Sequence, residues 1–425
     1  MIELCAYGVP MGLQYSITAI GSVILQASVN SLGSVAVASN SPIVWSVGTE
    51  AIVGRSATVR PMQLTASDPT SAAFRDRVDA EIDAYLTRLT GRLESVSPAL
   101  TQLTRVARDL SSGGKRLRPA FAYWGFVAAA GDRQAPDGLW QAIAAIELLH
   151  VGVLIHDDVL DDADTRRGRP AAHRQFEDWH RSQHGVGDPA EFGRAMAVLL
   201  GDQLLVWSGE LAETSALDSA AWQAARGYWH AVRTEVNSGQ VLDLCAQYQV
   251  GAPPETSAEQ LAAKVLEEKT SRYTVQRPVQ FGAAAGGASS EVLAGLGDYG
   301  LALGRAFQLR DDLLGVFAGE AETGKPAAGD LREGKRTVLL ARVLDAADPG
   351  DRDLLTAMLG RADLTDAEID RARSIIQGSG AVAAIEHIVA ADHAKAVAAL
   401  DGIAISSAGR TALVELARQC VERRS

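Results

Sequence analysis

One stretch of the chain, Asp157–Pro170, restricts the fold most, because it concentrates charge at the end of an apolar segment. Its first eight residues contain five aspartates, and three arginines follow within four residues. In a helix, Asp157 and Asp161 are one turn apart, so their carboxylates converge. His150 falls on the same face, since seven residues make nearly two turns. Packed acids repel one another and weaken a helix by a few tenths of a kcal/mol per pair unless a cation neutralises them.

The residues on either side indicate a binding site. The preceding segment, 148–155, is apolar on nearly every side, which is typical of a buried helix. Hard divalent cations prefer oxygen ligands, and Mg²⁺ commonly takes one or two carboxylates together with phosphate oxygens. The arginines that follow can grip phosphate with paired, planar donors. We therefore interpret the stretch as a magnesium–diphosphate site, with a solvated, charged helix end as the alternative.

Bulk composition fits a large apolar core and a small anionic ligand. Of 425 residues, 47% are hydrophobic, which is enough for one large helical domain or two ordinary ones. A formal net charge of −12 argues against a nucleic-acid-binding protein, which would be basic. Because Cys5, Cys245 and Cys420 lack paired spacing, we expect neither disulfides nor a zinc site. This pattern of cysteines fits a reducing, cytoplasmic setting best.

Residues 1–67 are predicted to form a separate, poorly ordered apolar extension. No charged residue lies between Glu3 and Glu50, yet Ser, Gln and Asn make the segment 17–37 a poor spanning helix. The segment also lacks the basic start of a secretory signal. The run 12–33 resembles a fragment of a multidrug-efflux transporter of the drug/sodium antiporter kind, but no transporter body follows. We interpret the extension as a fusion remnant or misplaced start, with a membrane-touching arm as the alternative.

From residue 68 to 425 the apolar periodicity is helical, and we predict an all-α fold, a large single-domain bundle around a central cavity. A helix is predicted after the Ser/Thr cluster near residue 70, and a second near 100–110 that stops at Gly113-Gly114. Pro119 is expected to open a third helix, and Ser257 with Gln260 predicts a capping box. No alternating strand pattern competes. Further periodic stretches lie near 137–163, 190–213, 219–249, 257–285 and 290–317, with shorter helices after a Gly-broken loop at 318–336.

A second acidic pair, Asp311-Asp312, also ends a mostly apolar stretch, and Gln308 lies one turn before it. Helical bundles build metal sites from inward side chains on facing helices. We therefore expect the two aspartate-bearing helices to face each other across a cavity and to share metal ions. One such helix would be weak support for a metal site, whereas two are much stronger.

Basic and polar groups elsewhere fit the same cavity. Gly113–Pro119 combines a flexible turn, three cations and a helix start, whose free N–H groups attract anions. A second basic segment runs over 323–336. Each loop alone is more often a surface loop, but together they carry enough cations for two diphosphates. Lys269-Thr270 would face the cavity or else be solvated, and the pair Gln240 and Asp243 would orient metal ligands or be merely structural.

From about residue 75 onward the chain resembles the trans-isoprenyl diphosphate synthases of the polyprenyl synthetase family. The shared motifs follow the family's order over most of this region, so the resemblance is highly specific. An Asp-Asp-x-x-Asp motif alone would not be specific to this family, because class I terpene cyclases share it. The motifs are Gly114–Pro119, Glu147–His150, Asp157–Asp161 with Arg166–Gly168, Gly201-Asp202, Gly239-Gln240 with Asp243, Lys269-Thr270, and Phe307-Gln308 with Asp311-Asp312.

This resemblance implies a Mg²⁺-dependent prenyltransferase that joins an allylic diphosphate to isopentenyl diphosphate, commonly as a homodimer. It places Mg²⁺ on Asp157, Asp161 and Asp311, supported by Asp158 and Asp312, with Lys269 as a further catalytic group. The residues it assigns to the allylic diphosphate are Arg166, Lys269, Thr270, Gln308 and Lys325. Those it assigns to isopentenyl diphosphate are Lys115, Arg118, His150 and Arg167, and Lys335 would help close a lid.

The chain departs from the family's pattern in two places, and both concern acids. The second motif ends in Gly315 where many relatives carry a third Asp. The lid has Ala328-Gly329-Asp330 where an additional acid is often found. Metal binding at the second motif would therefore rest on Asp311 and Asp312.

Product length should depend on what blocks the cavity beneath Asp157. Gly152 and Val153 lie about one turn before it, and neither is aromatic, which argues against a geranyl product. Farnesyl, geranylgeranyl and longer products stay open, and we favour geranylgeranyl diphosphate. The alternative floor comes from the neighbouring helix, from Phe121, Tyr123, Trp124 and Phe126.

Two other functions share part of this pattern. A class I terpene cyclase should carry a second motif of Asn/Asp, Ser/Thr and Glu, which 234–243 does not match, and it would turn over without isopentenyl diphosphate. A non-catalytic subunit that modulates a partner synthase usually lacks acids or arginines of the first motif, which are intact here. Activity of the purified chain alone would separate that subunit from an enzyme.

Overall fold

Helices are the main secondary structure of the chain that the computed structural model describes, residues 64–253, 255–319 and 328–422, so the predicted all-α fold is confirmed. Most of the predicted extension 1–67 lies outside these residues, as does Lys325. In chain order the helices are α1 (Ala72–Glu94), α2 (Thr101–Ser111), α3 (Leu117–Ala130), α4 (Asp137–Leu160), α5 (Ala172–Ser182), α6 (Pro189–Glu213), α7 (Ser219–Gln247), α8 (Ala258–Val265), a π-helix (Leu266–Gln276), α9 (Arg277–Ala285), α10 (Ser290–Phe317), α11 (Gly329–Glu333), α12 (Val338–Ala346), α13 (Pro349–Met358), α14 (Asp366–Gly378), α15 (Ala381–Ala399) and α16 (Ser407–Val421).

Several helix starts follow the capping chemistry of the sequence. The Ser71 hydroxyl accepts from the Phe74 backbone N–H at the start of α1. Ser257 and Gln260 form the predicted capping box of α8. Helix α3 starts at Leu117, so Pro119 sits in its first turn, where a missing N–H costs no intrahelical bond. The sequence did not predict the antiparallel hairpin of β1 (Thr165–Arg166) and β2 (Arg169–Pro170).

Helix α4 runs through the apolar core and ends at the first acidic motif. Leu148, Leu149, Val151 and Ile155 are all at most 1% exposed, and burying each such side chain stabilises the fold by about 1.5–3 kcal/mol. The length and apolar composition of α4 would also suit a membrane span, but 83% of its most apolar window is buried inside the protein. Core packing therefore explains its apolar surface.

The backbones of α4 and α6 approach closely at Gly152. A Cβ atom there would lie 3.0 Å from Leu204 Cβ and 3.1 Å from the Gly201 carbonyl oxygen. A bulky side chain at position 152 would push the two helices apart. The close approach of α4 and α6 gives a packing reason for the glycine at position 152.

The predicted helix 257–285 is in fact three elements, with a π-helix between α8 and α9. The π-helix packs between α7 and α10, and glycines on both neighbours make room for it. Cβ atoms at Gly239, Gly300 and Gly304 would each lie 2.4 Å from a Cα atom of the π-helix. Because π-helices are rare and occur frequently at functional sites, this element is a candidate carrier of site residues.

A second apolar cluster packs the end of α10 against α11 to α15. Leu309 and Leu313 of α10 belong to it, together with Leu331 of α11 and Leu339 of α12. Leu331 is fully buried. This cluster anchors the segment that carries Lys335 beside the second acidic motif.

Candidate active site

Asp157, at the end of α4, meets polar groups from two other helices. Its Oδ1 atom accepts from Gln240 Nε2 and from Lys269 Nζ, both at 3.1 Å. Lys269 Nζ also donates to Asp243 Oδ2 at 2.6 Å. The glycine gap at Gly239 brings α7 against the π-helix and so allows these contacts. Although burial opposes it, the carboxylates of Asp157 and Asp243 raise the pKa of Lys269, which is therefore charged.

The hairpin after α4 turns Arg166 back onto the first motif. Arg167 and Gly168 adopt positive φ angles of 54° and 72° at its turn. Arg166 donates to Oδ1 of buried Asp158, and its Nη2 atom lies 3.6 Å from Asp157 Oδ2. Asp158 thus holds the Arg166 guanidinium beside Asp157.

Asp161 faces residues 328–336, which we call the lid segment. Its Oδ2 atom lies 3.2 Å from Lys335 Nζ, which is 2.5 Å from Glu333 Oε2. Burial raises the pKa of Asp161, Lys335 partly offsets this, and Asp157 and Glu333 add to the rise. The raised pKa shows that negative charge is unfavourable among these crowded acids. A bound cation would relieve it.

Lys335 also acts electrostatically on the second motif. Asp312 accepts a 2.8 Å hydrogen bond from Gln308 Nε2 on α10. Burial raises the pKa of Asp312 well above its usual range, Asp330 and Asp311 raise it further, and Lys335 lowers it. The same lysine lies 3.2 Å from Asp161, so one cation acts on the acids of both helix ends.

The carboxylate of Asp330 lies against Gly315. A Cβ atom at Gly315 would be 2.2 Å from Asp330 Oδ2. Asp330 thus occupies the space that a side chain at position 315 would need. An acid from the lid segment stands beside the second motif in this chain.

A basic region forms around His150, about two turns before the acids on α4. His150 Nδ1 lies 3.0 Å from the Tyr273 hydroxyl, and the Arg118 guanidinium stacks over the Tyr273 ring at 4.4 Å. Arg118 Nη2 also donates to the Thr274 hydroxyl at 2.8 Å. Burial, followed by Arg118 and Arg167, lowers the pKa of His150 well below its usual range, so its imidazole is neutral near pH 7.

Arg167 and Lys115 belong to the same region, at the Gly113-Gly114 loop. Arg167 Nη1 donates to the Gly113 carbonyl at 3.2 Å, and its Nη2 atom lies 3.9 Å from Glu147 Oε1. Lys115 is exposed next to this loop. Thr270 and Asp311 are half-buried on the π-helix and on α10.

The donor set suits a hard divalent cation. The buried and half-buried ligands at the two motifs are all carboxylates, and Mg²⁺ prefers oxygen. Lys269 and Lys335 already neutralise part of the acidic charge, with ammonium nitrogens 3.1–3.2 Å from Asp157 and Asp161. Within the described residues, no three His, Cys, Asp or Glu side chains come together closely enough to hold a metal by themselves. Phosphate oxygens and water commonly complete a Mg²⁺ shell.

Sequence reasoning missed several residues that contact this site. Tyr273 and Thr274 follow Lys269 by one turn of the π-helix, a spacing that only the wider helix reveals. Arg116 was noted only as one cation of a loop, yet it is buried against Glu147. Glu333, which pairs with Lys335, gave no signal beyond a charged lid.

Solved structures share this fold. A geranylgeranyl pyrophosphate synthase from Corynebacterium glutamicum, in complex with isoprenyl diphosphate and magnesium, superposes with a TM-score of 0.80 at 35% identity, over 85% of this chain and 100% of its own. A polyprenyl synthase from Caulobacter crescentus, in complex with calcium and isoprenyl diphosphate, gives a TM-score of 0.66 at 29% identity, over 86% and 100%. The fold is that of the isoprenyl diphosphate synthases.

The sequence identifies the family. The chain matches the polyprenyl synthetase model over residues 101–376, and it belongs to the polyprenyl synthetase family, the trans-prenyltransferases. It is 31% identical to the short chain isoprenyl diphosphate synthase of Methanothermobacter thermautotrophicus, over 79% of this chain and 94% of that protein. It is also 29% identical to the nonaprenyl diphosphate synthase of Mycobacterium tuberculosis, over 83% and 98%.

Proposed function

We propose that the chain condenses an allylic diphosphate with isopentenyl diphosphate, in a Mg²⁺-dependent reaction, to an all-trans prenyl diphosphate one isoprene unit longer. One observation carries the proposal. Lys335 lies 3.2 Å from Asp161 and lowers the pKa of Asp312, so one cation acts on both acidic helix ends, while Arg118 and Arg167 lower the pKa of His150 in a second, basic region. One region fits a metal-bound diphosphate and the other fits a second diphosphate held without metal.

The proposed chemistry follows from the charges of these side chains. Lys269, Arg166 and Lys335 hold the allylic diphosphate and stabilise the negative charge that builds on it as the allylic C–O bond breaks. When bound, Mg²⁺ adds positive charge against the same leaving group. Arg118, Arg167 and His150 hold isopentenyl diphosphate so that its double bond reaches the allylic carbon. Loss of a proton to the departing diphosphate completes the product, and the apolar core keeps out water that would quench the cation.

Asp157→Ala tests the acidic site. We expect turnover to fall by a factor of about 10³ or more, because Lys269 loses a partner and the metal loses a ligand. Helix content, measured by circular dichroism, should stay unchanged. The matched control is Asp164→Asn, an acid of the same stretch that pairs with Arg174 at 2.8 Å. A near-normal rate in Asp157→Ala would remove this residue from the metal site.

We further propose geranylgeranyl diphosphate as the product. Val153 is half-buried one turn before Asp157, and it is not aromatic, which leaves room for a longer chain. Phe121, Trp124 and Phe126 are buried, and Tyr123 packs against Trp140 with ring centroids 4.8 Å apart. Product analysis with each allylic primer tests the length, and Val153→Phe should shift the products toward shorter chains. Unchanged products in Val153→Phe would mean that a different residue limits the length of the product.

A cytoplasmic homodimer is the assembly that we propose for this enzyme. Cys245 and Cys420 are free thiols, as expected in a reducing compartment. Helix α6 exposes large apolar side chains, including Leu199 and Val206. Such surfaces commonly mark protein–protein contacts.

A further inference from the structure

Glu147 is a buried carboxylate among arginines, on the face of α4 that carries His150. Its side chain is 3% exposed. Its Oε1 atom accepts a 2.6 Å hydrogen bond from Arg116 Nη1 and lies 3.9 Å from Arg167 Nη2. Burying a charge is costly unless the charge is paired and hydrogen-bonded. The Glu147–Arg116 pair adjoins the basic region around His150, so it can position the cations there.

Arg116 is held in a conformation that its own backbone disfavours. Its φ of 52° and ψ of 38° are left-handed, which costs a non-glycine residue about 1–2 kcal/mol. Its buried guanidinium donates to Asp79 Oδ1 on α1 at 2.7 Å, to Glu147, and to the Ser111 carbonyl. These contacts fix the loop between α2 and α3, and with it the directions of Lys115 and Arg118.

Arg167 holds the same loop from the other side. Its guanidinium carbon would lie 2.9 Å from a Cβ atom at Gly114, and the φ of 91° at Gly114 also favours glycine at this position. Burial lowers the pKa of Arg167, and Arg116 and Arg118 lower it further, while Glu147 opposes this. The carboxylate thus offsets repulsion among the arginines before any anion is present.

We propose that Glu147 is a positioning residue for the isopentenyl diphosphate site. It holds Arg167 directly, and through Arg116 it holds the loop between α2 and α3. Lys115, Arg118 and Arg167 are thereby directed toward the site of His150. This inference rests on the proposed assignment of isopentenyl diphosphate to Lys115, Arg118, His150 and Arg167. Because Glu147 arranges the binding groups and touches no reacting atom, its loss should weaken binding of one substrate and spare the chemical step.

Three full-length variants separate positioning from stability. Glu147→Gln should raise the KM for isopentenyl diphosphate about tenfold or more, which corresponds to at least 1.4 kcal/mol. Its allylic KM and its kcat at saturating isopentenyl diphosphate should change less than about threefold. Arg116→Met/Glu147→Leu replaces the buried pair with apolar groups, a change that is often neutral for stability. Its Tm should return toward that of the wild type while its KM for isopentenyl diphosphate stays raised, because Arg167 still lacks its carboxylate.

Glu177→Gln is the matched control, since Glu177 is also a buried carboxylate but pairs with Arg174 on α5, at 3.2 Å, and with neither Arg116 nor Arg167. We expect it to lower Tm and to leave the KM for isopentenyl diphosphate within about twofold. An unchanged KM in Glu147→Gln would overturn the proposal. So would recovery of KM together with Tm in the double variant, because Glu147 would then be merely structural.

Calorimetric titration with isopentenyl diphosphate alone reads the same site without turnover. We expect its Kd to rise about tenfold in Glu147→Gln and in the double variant. If the wild type binds isopentenyl diphosphate and the variants bind it weakly, but no allylic primer supports condensation, the proposed function is wrong while the role of Glu147 stands. Equal binding by all four proteins would overturn the role of Glu147 alone.

Discussion

At the residue scale, Tyr273 connects two side chains that we assign to the same substrate. Burial raises the pKa of Tyr273, so its hydroxyl keeps its proton, and His150 is neutral. If the hydroxyl donates to Nδ1 of His150, across their 3.0 Å contact, the imidazole proton must sit on Nε2. A neutral histidine can donate to a diphosphate only through that nitrogen.

Tyr273→Phe should therefore raise the KM for isopentenyl diphosphate by about 3–10-fold, the value of one hydrogen bond, while the ring still stacks on Arg118. Steady-state kinetics with each substrate varied in turn would measure it. Tyr299→Phe is the control, because its hydroxyl donates to the Leu413 carbonyl at 2.7 Å, away from this site. It should lower Tm without changing KM. Equal KM changes in both variants would mean that general loosening of the core, and not His150, is responsible.

The sequence predicted the residues that lie in contiguous motifs better than those that act through long-range contacts. Asp157 and Asp312 stand at apolar helix ends, where a run of acids is conspicuous on its own. Glu147 stood in a motif but without a role of its own, and Tyr273 gave no signal, because their roles depend on partners 31 and 123 residues away in the chain. Only the packing of α3 and the π-helix against α4 brings those partners together.

At the element scale, the π-helix depends on glycines in its neighbours. The sequence predicted a single helix over 257–285, since apolar periodicity does not distinguish one turn of π-helix from α-helix. Glycines at 239, 300 and 304 mark where the wider helix is accommodated, but isolated glycines within helices have several explanations. The structure gives the explanation here, because a Cβ atom at each of the three positions would lie 2.4 Å from a Cα atom of the π-helix.

Gly304→Ala should destabilise the protein by about 1–3 kcal/mol, because its Cβ atom would collide with backbone at Ser271. The allylic KM should rise as well, since Thr270 and Lys269 precede Ser271. Thermal unfolding and kinetics would measure both effects. Gly227→Ala on α7 meets no atom within 4 Å and should stabilise by about 0.5–1 kcal/mol. A stable, fully active Gly304→Ala variant would show that the π-helix does not need this gap.

The carboxylate of Asp330, from the lid segment, fills the space beside Gly315 on α10, so only one of these two positions can carry an acid. Gly315→Asp should impair the enzyme, because the new Cβ atom would lie 2.2 Å from Asp330 Oδ2. Asp330→Gly should also impair it, by removing a carboxylate beside the second motif. The double variant moves the acid from the lid to α10, and we expect its kcat/KM to recover to within about threefold of the wild type. A double variant no better than the weaker single one would mean that the two positions are not equivalent.

At the scale of the whole molecule, α6 joins the site to a surface that we propose as the dimer interface. Its outer face exposes Leu199 at 56% and Val206 at 60%, seven residues apart and thus on one side of the helix. Its inner face packs on α4 at Gly152. Next to Asp157, His156 Nε2 lies 3.1 Å from the Val198 carbonyl of α6. A partner subunit on α6 would thus brace the helix that carries the first motif.

Leu199→Glu/Val206→Glu should convert the proposed dimer into monomers of 44.8 kDa, because two buried carboxylates facing their symmetry mates would repel. Light scattering after size exclusion measures the mass, and Val186→Glu, at a fully exposed apolar residue outside α6, is the control. The monomer should also lose activity, since α6 would no longer be braced against α4. A monomeric wild type would refute the interface. A dissociated variant with full kcat would show that α4 holds Asp157 in place without help from a second subunit.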